Sequence, residues 1–247
     1  VILSNKKNGR LSFQKVLNEL LLQFRRSYEW PNQQNPDLSE PRLDKEKVQT
    51  NLINKLKFSK EDLEKIQVFH DELLRFNKKY NLISKSTEKD IWHRHILDSA
   101  QLVNYIDFKK NKSISDMGTG AGFPGVILAI FNKNPMFHVK LYDKSSVKCD
   151  FLESIRSKID VKFDVFGNYI NEHINSDYVV SRAFKKLEEI IRISREIIKV
   201  DHKLIILKGK NAENEINKLK PFINFMYSLE DSITDPNSKI LVIQIKK

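Results

Sequence analysis

The chain holds a single cysteine, Cys149, among 247 residues. No internal disulfide can form, and such sparse usage fits a reducing cytoplasm. With no Cys–His pattern around it, Cys149 reads as a packed small residue rather than a nucleophile. No apolar run approaches the roughly 18 residues that span a bilayer. The opening residues show no signal-peptide apolar core ahead of a small-residue cleavage site. The expectation is a cytoplasmic protein with no membrane partner. Acidic residues are in deficit, 32 Asp and Glu against 43 Lys and Arg, for a formal net charge of +11. That excess suits a polyanion such as RNA, although a lysine- and asparagine-rich bias alone gives the same figure. Internal repeats are absent. Glycine is scarce, seven in all, so the place where four of them gather is informative.

Those four are Gly118, Gly120, Gly122 and Gly125, in Asp116-Met117-Gly118-Thr119-Gly120-Ala121-Gly122-Phe123-Pro124-Gly125. Ser113-Ile114-Ser115 reads as the end of a short buried strand, and Val126 to Phe131 as the apolar first turns of a helix. Glycines between them let the backbone take φ > 0 and let a ligand approach the main chain. The helix start then offers unpaired N–H groups to polar ligand atoms. A plain turn needs one or two glycines, not four. The spacing departs from the dinucleotide pattern G-x-G-x-x-G, because Phe123 stands where the third glycine belongs. A pyrophosphate needs that spacing, whereas a ligand without phosphates needs only a close backbone wall. Asp143 ends the next strand-like run, Val139-Lys140-Leu141-Tyr142. An acid there can accept hydrogen bonds from both ribose hydroxyls of an adenosine, or simply cap the following helix.

The rest of the chain frames this loop. Residues 1 to about 50 read as an N-terminal extension of unassigned role, flexible in part. Apolar positions at helical spacing run from Leu11 to about Tyr28, followed by a proline-punctuated polar stretch from Trp30 to Pro41. Ser59-Lys60-Glu61-Asp62 is a capping-box-like helix start, and a second helix carries Ile91 to Ser99 and runs on towards Tyr105. After residue 112, short apolar runs alternate with helical segments. Strands are expected at Val161–Phe166, Tyr178–Val180 and Lys203–Leu207, with helices over Lys144–Lys158 and Leu187–Ile198. Two late runs, Phe225–Leu229 and Ile240–Ile245, suggest an antiparallel hairpin at the sheet edge. The pattern implies an α/β fold, a mostly parallel sheet with an antiparallel C-terminal edge and helices on both faces. N-terminal helices precede it. The expected domain spans 58–247, with helices over 58–110 and the ligand-binding core over 111–247.

The glycine loop and Asp143 resemble a Rossmann-like methyltransferase dependent on S-adenosylmethionine (SAM). Asn77-Lys78-Lys79-Tyr80-Asn81-Leu82-Ile83, Arg94-His95-Ile96-Leu97-Asp98-Ser99, the glycine loop, Ser181-Arg182-Ala183-Phe184 and Leu207-Lys208-Gly209 follow in one order. Together they resemble the RsmG (GidB) family of 16S ribosomal-RNA guanine-N7 methyltransferases, over about residues 58 to 247. The resemblance implies SAM as cofactor, 16S rRNA or the small ribosomal subunit as partner and guanine 527 of the 530 loop as target; a monomer is expected, although the sequence itself leaves the oligomeric state open. It places cofactor contacts at Gly118, Phe123 and Arg182 and, in the loop after the third strand, near Tyr169 and Ile170. In that loop the family commonly has an acid after a Gly/Ser-Arg pair, where this chain reads Gly167-Asn168-Tyr169-Ile170-Asn171-Glu172. With the residues read directly, the expected cofactor set is Asp116, Gly118, Thr119, Gly120, Gly122, Phe123, Asp143, Tyr169, Ile170 and Arg182.

Guanine N7 carries a lone pair and no proton, so its attack on a sulfonium methyl needs no general base. Catalysis is then mostly proximity and alignment, which agrees with the lack of an acid–base dyad. Arg182, Arg94 and His95 are the candidates nearest the chemistry. Arg182 suits the SAM carboxylate or an RNA phosphate. Phe184 suits either stacking on the base or core packing. Lys78, Lys79, Arg94, Lys144, Lys148 and Lys208 are candidates for phosphate contacts. His93 and His95 are two apart on a helix and point in different directions, so no metal site is expected. Two other readings stay open: a methyltransferase acting on a small molecule or a protein, and a non-catalytic RNA-binding module.

Overall fold

The computed structural model describes residues 44–167, 174–182, 185–219 and 226–247. The expected helix at Leu11–Tyr28, the polar stretch to Pro41, and Tyr169, Ile170, Phe184 and Phe225 lie outside the described residues. Helix α1 (Lys45–Asn54) starts at Asp44, whose carboxylate accepts from Lys47 N at 2.9 Å. Val48 and Leu52 on this helix are fully buried in the core. The folded unit therefore begins ahead of residue 58, the start expected from sequence: α1 carries only two core positions amid charge, too faint a periodicity to read. Helix α2 (Lys60–Tyr80) has the expected capping box, Ser59 and Asp62 bonding each other's backbone N–H. It buries Ile66, Phe69 and Leu73 and ends where Asn81 takes a left-handed conformation, φ +48°.

The next helical stretch is less regular than its pattern suggests. It winds as a π-helix over Trp92–Leu97, an α-turn over Asp98–Ala100 and a 3-10 turn over Gln101–Tyr105. Wide π-turns concentrate at functional sites. This one turns Trp92, His93, Ile96 and Leu97 inward and leaves Arg94 exposed.

Strands β1 (Ser113–Met117), β2 (His138–Tyr142), β3 (Asp164–Phe166), β4 (Tyr178–Arg182), β5 (His202–Lys208), β6 (Met226–Asp231) and β7 (Lys239–Ile245) form one sheet. Its order is β3-β2-β1-β4-β5-β7-β6. The first five run parallel, and β7 inserts antiparallel between β5 and β6. The antiparallel C-terminal edge is as expected, with β6 outermost. Strand β3 is shorter than its apolar run, because Val161 to Phe163 approach the sheet without pairing. Helices α3 (Gly125–Phe131), α4 (Ser146–Ile159), α5 (Leu187–Ile197) and α6 (Ala212–Leu219) return the chain across the sheet. The brief α6, with only Ala212 and Ile216 buried, was not foreseen.

Buried strands of a parallel sheet send alternate residues to two cores. Tyr178, Val180, Ile205 and Leu207 join α1–α4, whereas Val179, Leu204 and Ile206 join Leu187, Ile190, Ile197 and Ile216 of α5 and α6. After β1 the chain builds outward to β2 and β3, then returns to place β4 on β1's other side. A ligand in such a sheet binds at this switch point, outside the carboxyl ends of the strands. Among the described residues no helix is long and apolar enough to cross a membrane.

Candidate active site

The glycine loop leaves the carboxyl end of β1 at the switch point. Gly118, Gly120 and Gly122 all have positive φ, +72°, +61° and +100°. The N–H groups of Gly118 and Thr119 both donate to the carbonyl of Tyr142, at 2.9 and 3.0 Å, which ties the loop to the end of β2. Thr119 O then accepts from Gly122 N and Phe123 N, and Gly122 O from Val126 N, closing the turn into α3. The glycines serve different ends. A Cβ on Gly122 would strike Val126 Cγ2 at 2.6 Å, and one on Gly125 would strike Leu141 and Asp116, so both are needed for close packing. Among the described residues, a Cβ on Gly120 would meet nothing nearer than Lys148 Nζ at 3.9 Å. Gly120 is the point where the main chain lies open to a ligand.

Beneath the loop, Asp116 Oδ2 accepts from Gly125 N at 2.7 Å and so fixes the start of α3. Burial pushes this carboxyl up to about 7, although the Gly125 N–H and the Arg182 charge pull the other way. Beside the loop, Asp143 at the end of β2 uses each oxygen once: Oδ2 accepts from Gly120 N and Oδ1 from Ser145 N, both at 2.9 Å. A carboxylate has about four lone-pair sites, so further acceptor capacity remains on a side chain 11% exposed. Lys148 Nζ stands 3.9 Å from Asp143 Oδ2, at the mouth of the same recess.

Across the loop, Arg182 at the end of β4 closes a clamp over Phe123. Its guanidinium lies 5.3 Å from the Phe123 ring centroid. Nη1 donates to Arg94 O at 2.9 Å, and Nη2 donates to His95 Nδ1 at 2.6 Å. His95 stacks on the same Phe123 ring, centroids 5.0 Å apart. Arginine is always a donor, so His95 Nδ1 is the acceptor and the proton sits on Nε2. Burial, reinforced by the charges of Arg182 and Arg94, lowers the His95 pKa to about 3, so the ring is neutral near pH 7. Asp98 completes the clamp, 3.6 Å from Arg182 Nη1. Its Oδ1 accepts from Thr234 Oγ1 at 2.9 Å and Gln101 Nε2 at 3.0 Å. Gln101 Oε1 in turn accepts from Ile233 N. The clamp therefore joins the π-helical stretch, the glycine loop, β4 and the β6–β7 connection.

The expected site residues fall into three groups. Gly118, Gly120, Asp143 and Lys148 line the recess and are partly accessible. Asp116, Thr119, Gly122 and Phe123 are buried, and shape the loop from beneath. Arg94, His95 and Arg182 meet in the clamp. Lys148, a candidate phosphate contact from sequence, lies 3.9 Å from Asp143 with its side chain partly exposed. Lys208 is tied inside the fold by Glu215 at 2.8 Å, with its side chain 11% exposed, because Glu215 also caps Leu187 N. Lys78, Lys79 and Lys144 are exposed. Tyr169, Ile170 and Phe184 lie outside the described residues. Sequence reasoning missed Asp98 as the partner of Arg182, and Thr234 as the partner of Asp98. Asp98 had a signal, one helical turn after Arg94; Thr234, remote in sequence, had none.

The sequence profile of a family described as rRNA small subunit methyltransferase G matches residues 62–239. A curated relative, the ribosomal RNA small subunit methyltransferase G of Orientia tsutsugamushi (strain Ikeda), is 37% identical over 188 residues. That alignment covers 76% of this chain and 92% of the relative. The protein of the same description from Rickettsia akari (strain Hartford) is 36% identical over 189 residues, covering 76% and 96%. Among solved structures, a SAM-dependent methyltransferase from Aquifex aeolicus superposes with a TM-score of 0.52 at 14% identity, over 70% of this chain and 98% of that one. At that identity the likeness speaks to the fold.

Proposed function

Because the chain belongs to the rRNA small subunit methyltransferase G family, we propose that it transfers the methyl group of SAM to N7 of a guanine in 16S rRNA. The guanine is the one the family resemblance implies, within the small ribosomal subunit or its RNA. The observation that carries the cofactor assignment is the open main chain at Gly120, bonded directly to the Asp143 carboxylate at the carboxyl ends of β1 and β2.

The residues present fit the cofactor. Gly118 and Gly120 give a wall without side chains, and Asp143 keeps lone pairs for two ribose hydroxyls. When bound, SAM supplies an electrophilic methyl on a sulfonium. The chain's own part is to bind, orient and exclude water. Asp116 and Phe123 hold the loop in shape, and Arg182, His95 and Asp98 fix Phe123 from above. No side chain needs to remove a proton, since N7 carries none. The neutral His95 agrees with a site built on placement rather than on acid–base exchange.

Two results are expected. Incubation with labelled SAM and small subunits lacking the modification, followed by nucleoside mass analysis, yields 7-methylguanosine. A different methylated nucleoside would overturn the N7 reading, and no transfer with SAM binding intact would point to a non-ribosomal substrate. Second, Asp143→Asn keeps an acceptor for Gly120 N but removes the charge that strengthens hydrogen bonds to ribose. SAM affinity is expected to fall by about tenfold in calorimetry. Equal affinity in variant and parent would refute the ribose role.

A further inference from the structure

We propose that Tyr80 is a stacking platform for an unpaired nucleobase neighbouring the target guanine; this rests on the RNA-substrate reading above. Helix α2 runs antiparallel to α4. Lys65 Nζ donates to Asp160 O, Lys158 pairs with Glu72 at 2.8 Å, and Phe76 meets Phe151 with centroids 5.1 Å apart. The end of α2 therefore lies at the start of α4, on the side of the sheet where Gly120, Asp143 and Lys148 form the recess. Phe69 touches Phe123 of the glycine loop, 5.3 Å between centroids. Tyr80 lies about 16 Å further along the helix axis than Phe69, a separation from the Phe123 contact that suits a neighbouring nucleotide rather than the target itself.

Tyr80 is held for such a role. Phe151 is fully buried, Phe76 packs on it, and Tyr80 packs on Phe76 at 6.0 Å. Lys79 Nζ sits over the Tyr80 ring at 4.9 Å, and the residue is still 41% exposed. An aromatic ring fixed on a core chain loses little freedom when a base stacks on it. The surroundings match a nucleic-acid backbone in charge: Lys78, Lys79, Lys85 and Lys89 near the end of α2 and Lys144 ahead of α4 are all exposed. A part-exposed aromatic among cations is the composition of a single-strand site, where the base stacks and the phosphates meet lysines.

The test uses the full chain and a short single-stranded oligoadenylate as probe, with affinity read by fluorescence anisotropy over a salt series. Tyr80→Ala is expected to weaken binding about fivefold or more, with the salt slope and SAM affinity of the parent. Tyr80→Phe should stay within about twofold, and Lys79→Ala should lower the salt slope by about 0.7. Tyr80→Leu keeps the apolar packing on Phe76 without the π-face, so it should resemble Tyr80→Ala and guards against a folding artefact. Parental affinity in Tyr80→Ala or Tyr80→Leu, loss in Tyr80→Phe, or no oligoadenylate binding by the parent would each overturn the proposal. Absence of methyl transfer to small-subunit RNA with stacking intact would overturn the substrate reading alone.

Discussion

Gly120→Asp is expected to abolish SAM binding while leaving the fold standing. The position has φ +61° and, among the described residues, no heavy atom within 3.4 Å of an added Cβ. The left-handed backbone costs a non-glycine residue roughly 1 kcal/mol, and Asp is among the side chains that tolerate it best. For a domain of this size that is a loss of about 2–4 °C in Tm. The new carboxylate, however, fills the open wall of the recess and stands beside Asp143, whose Oδ2 already accepts from Gly120 N. Volume and like charge both oppose a nucleoside there. Gly125→Ala should do the opposite. Its φ is ordinary, but its Cβ collides with Leu141 Cδ2 and, at 2.7 Å, with Asp116 Oδ2. Overpacking of that kind costs about 1–3 kcal/mol, seen as a lowered melting midpoint rather than as a selective loss of affinity. Calorimetric titration with SAM beside thermal melts separates the two. SAM affinity unchanged in Gly120→Asp would remove the basis for placing the cofactor at this loop.

The division among the glycines marks where the sequence stopped being legible. Their clustering after a buried strand was readable, because only a turn with several positive φ values, or a bare wall, uses so many in so few positions. Which glycine is open and which faces the core depends on Leu141, Val126 and Leu152, contacts that form only when β2, α3 and α4 are in place. Likewise, strand–helix alternation made the parallel sheet and its late hairpin legible through their periodicity. Helix α1 escaped because its burial rests on two residues, Val48 and Leu52. Lys148 and Lys208 are equal candidates for phosphate contacts in the sequence, because one-dimensional spacing cannot tell a solvated lysine from one beside Asp143 or paired with Glu215. Arg182 was singled out for its motif. That its charge is answered by Asp98, with Thr234 behind it, is a tertiary fact joining residues 136 apart.

That clamp carries the largest expected effect on stability. In Arg182→Ala, Asp98 keeps its contacts to Thr234 and Gln101 but loses its counter-ion within a largely buried site. Breaking such a pair typically costs about 3–5 kcal/mol, which predicts a fall in Tm of roughly 6–20 °C. Methyl transfer should fall with it, because Phe123 loses both its cation and the partner that orients His95. Adding Asp98→Asn should restore part of the stability, since the double variant holds no uncompensated charge; a double-mutant cycle measures the coupling. The effect also has a signed pH dependence. Burial already raises the Asp98 pKa, with Arg182 opposing, so removing Arg182 raises it further. A carboxyl whose folded pKa is raised loses stability as pH rises from its unfolded value through its folded one. His95 acts at the other end. Its folded pKa of about 3 lies below the unfolded 6.5, so the parent loses stability as pH falls through that window. Without Arg182 the His95 pKa moves up and that loss shrinks. Both groups therefore make the gap between parent and Arg182→Ala widen as pH rises from about 4 to about 6.5 in urea titrations. A gap independent of pH, or a Tm loss below about 2 °C, would mean that Asp98 is answered by its neutral partners alone and that Arg182 reports on the ligand rather than on the fold.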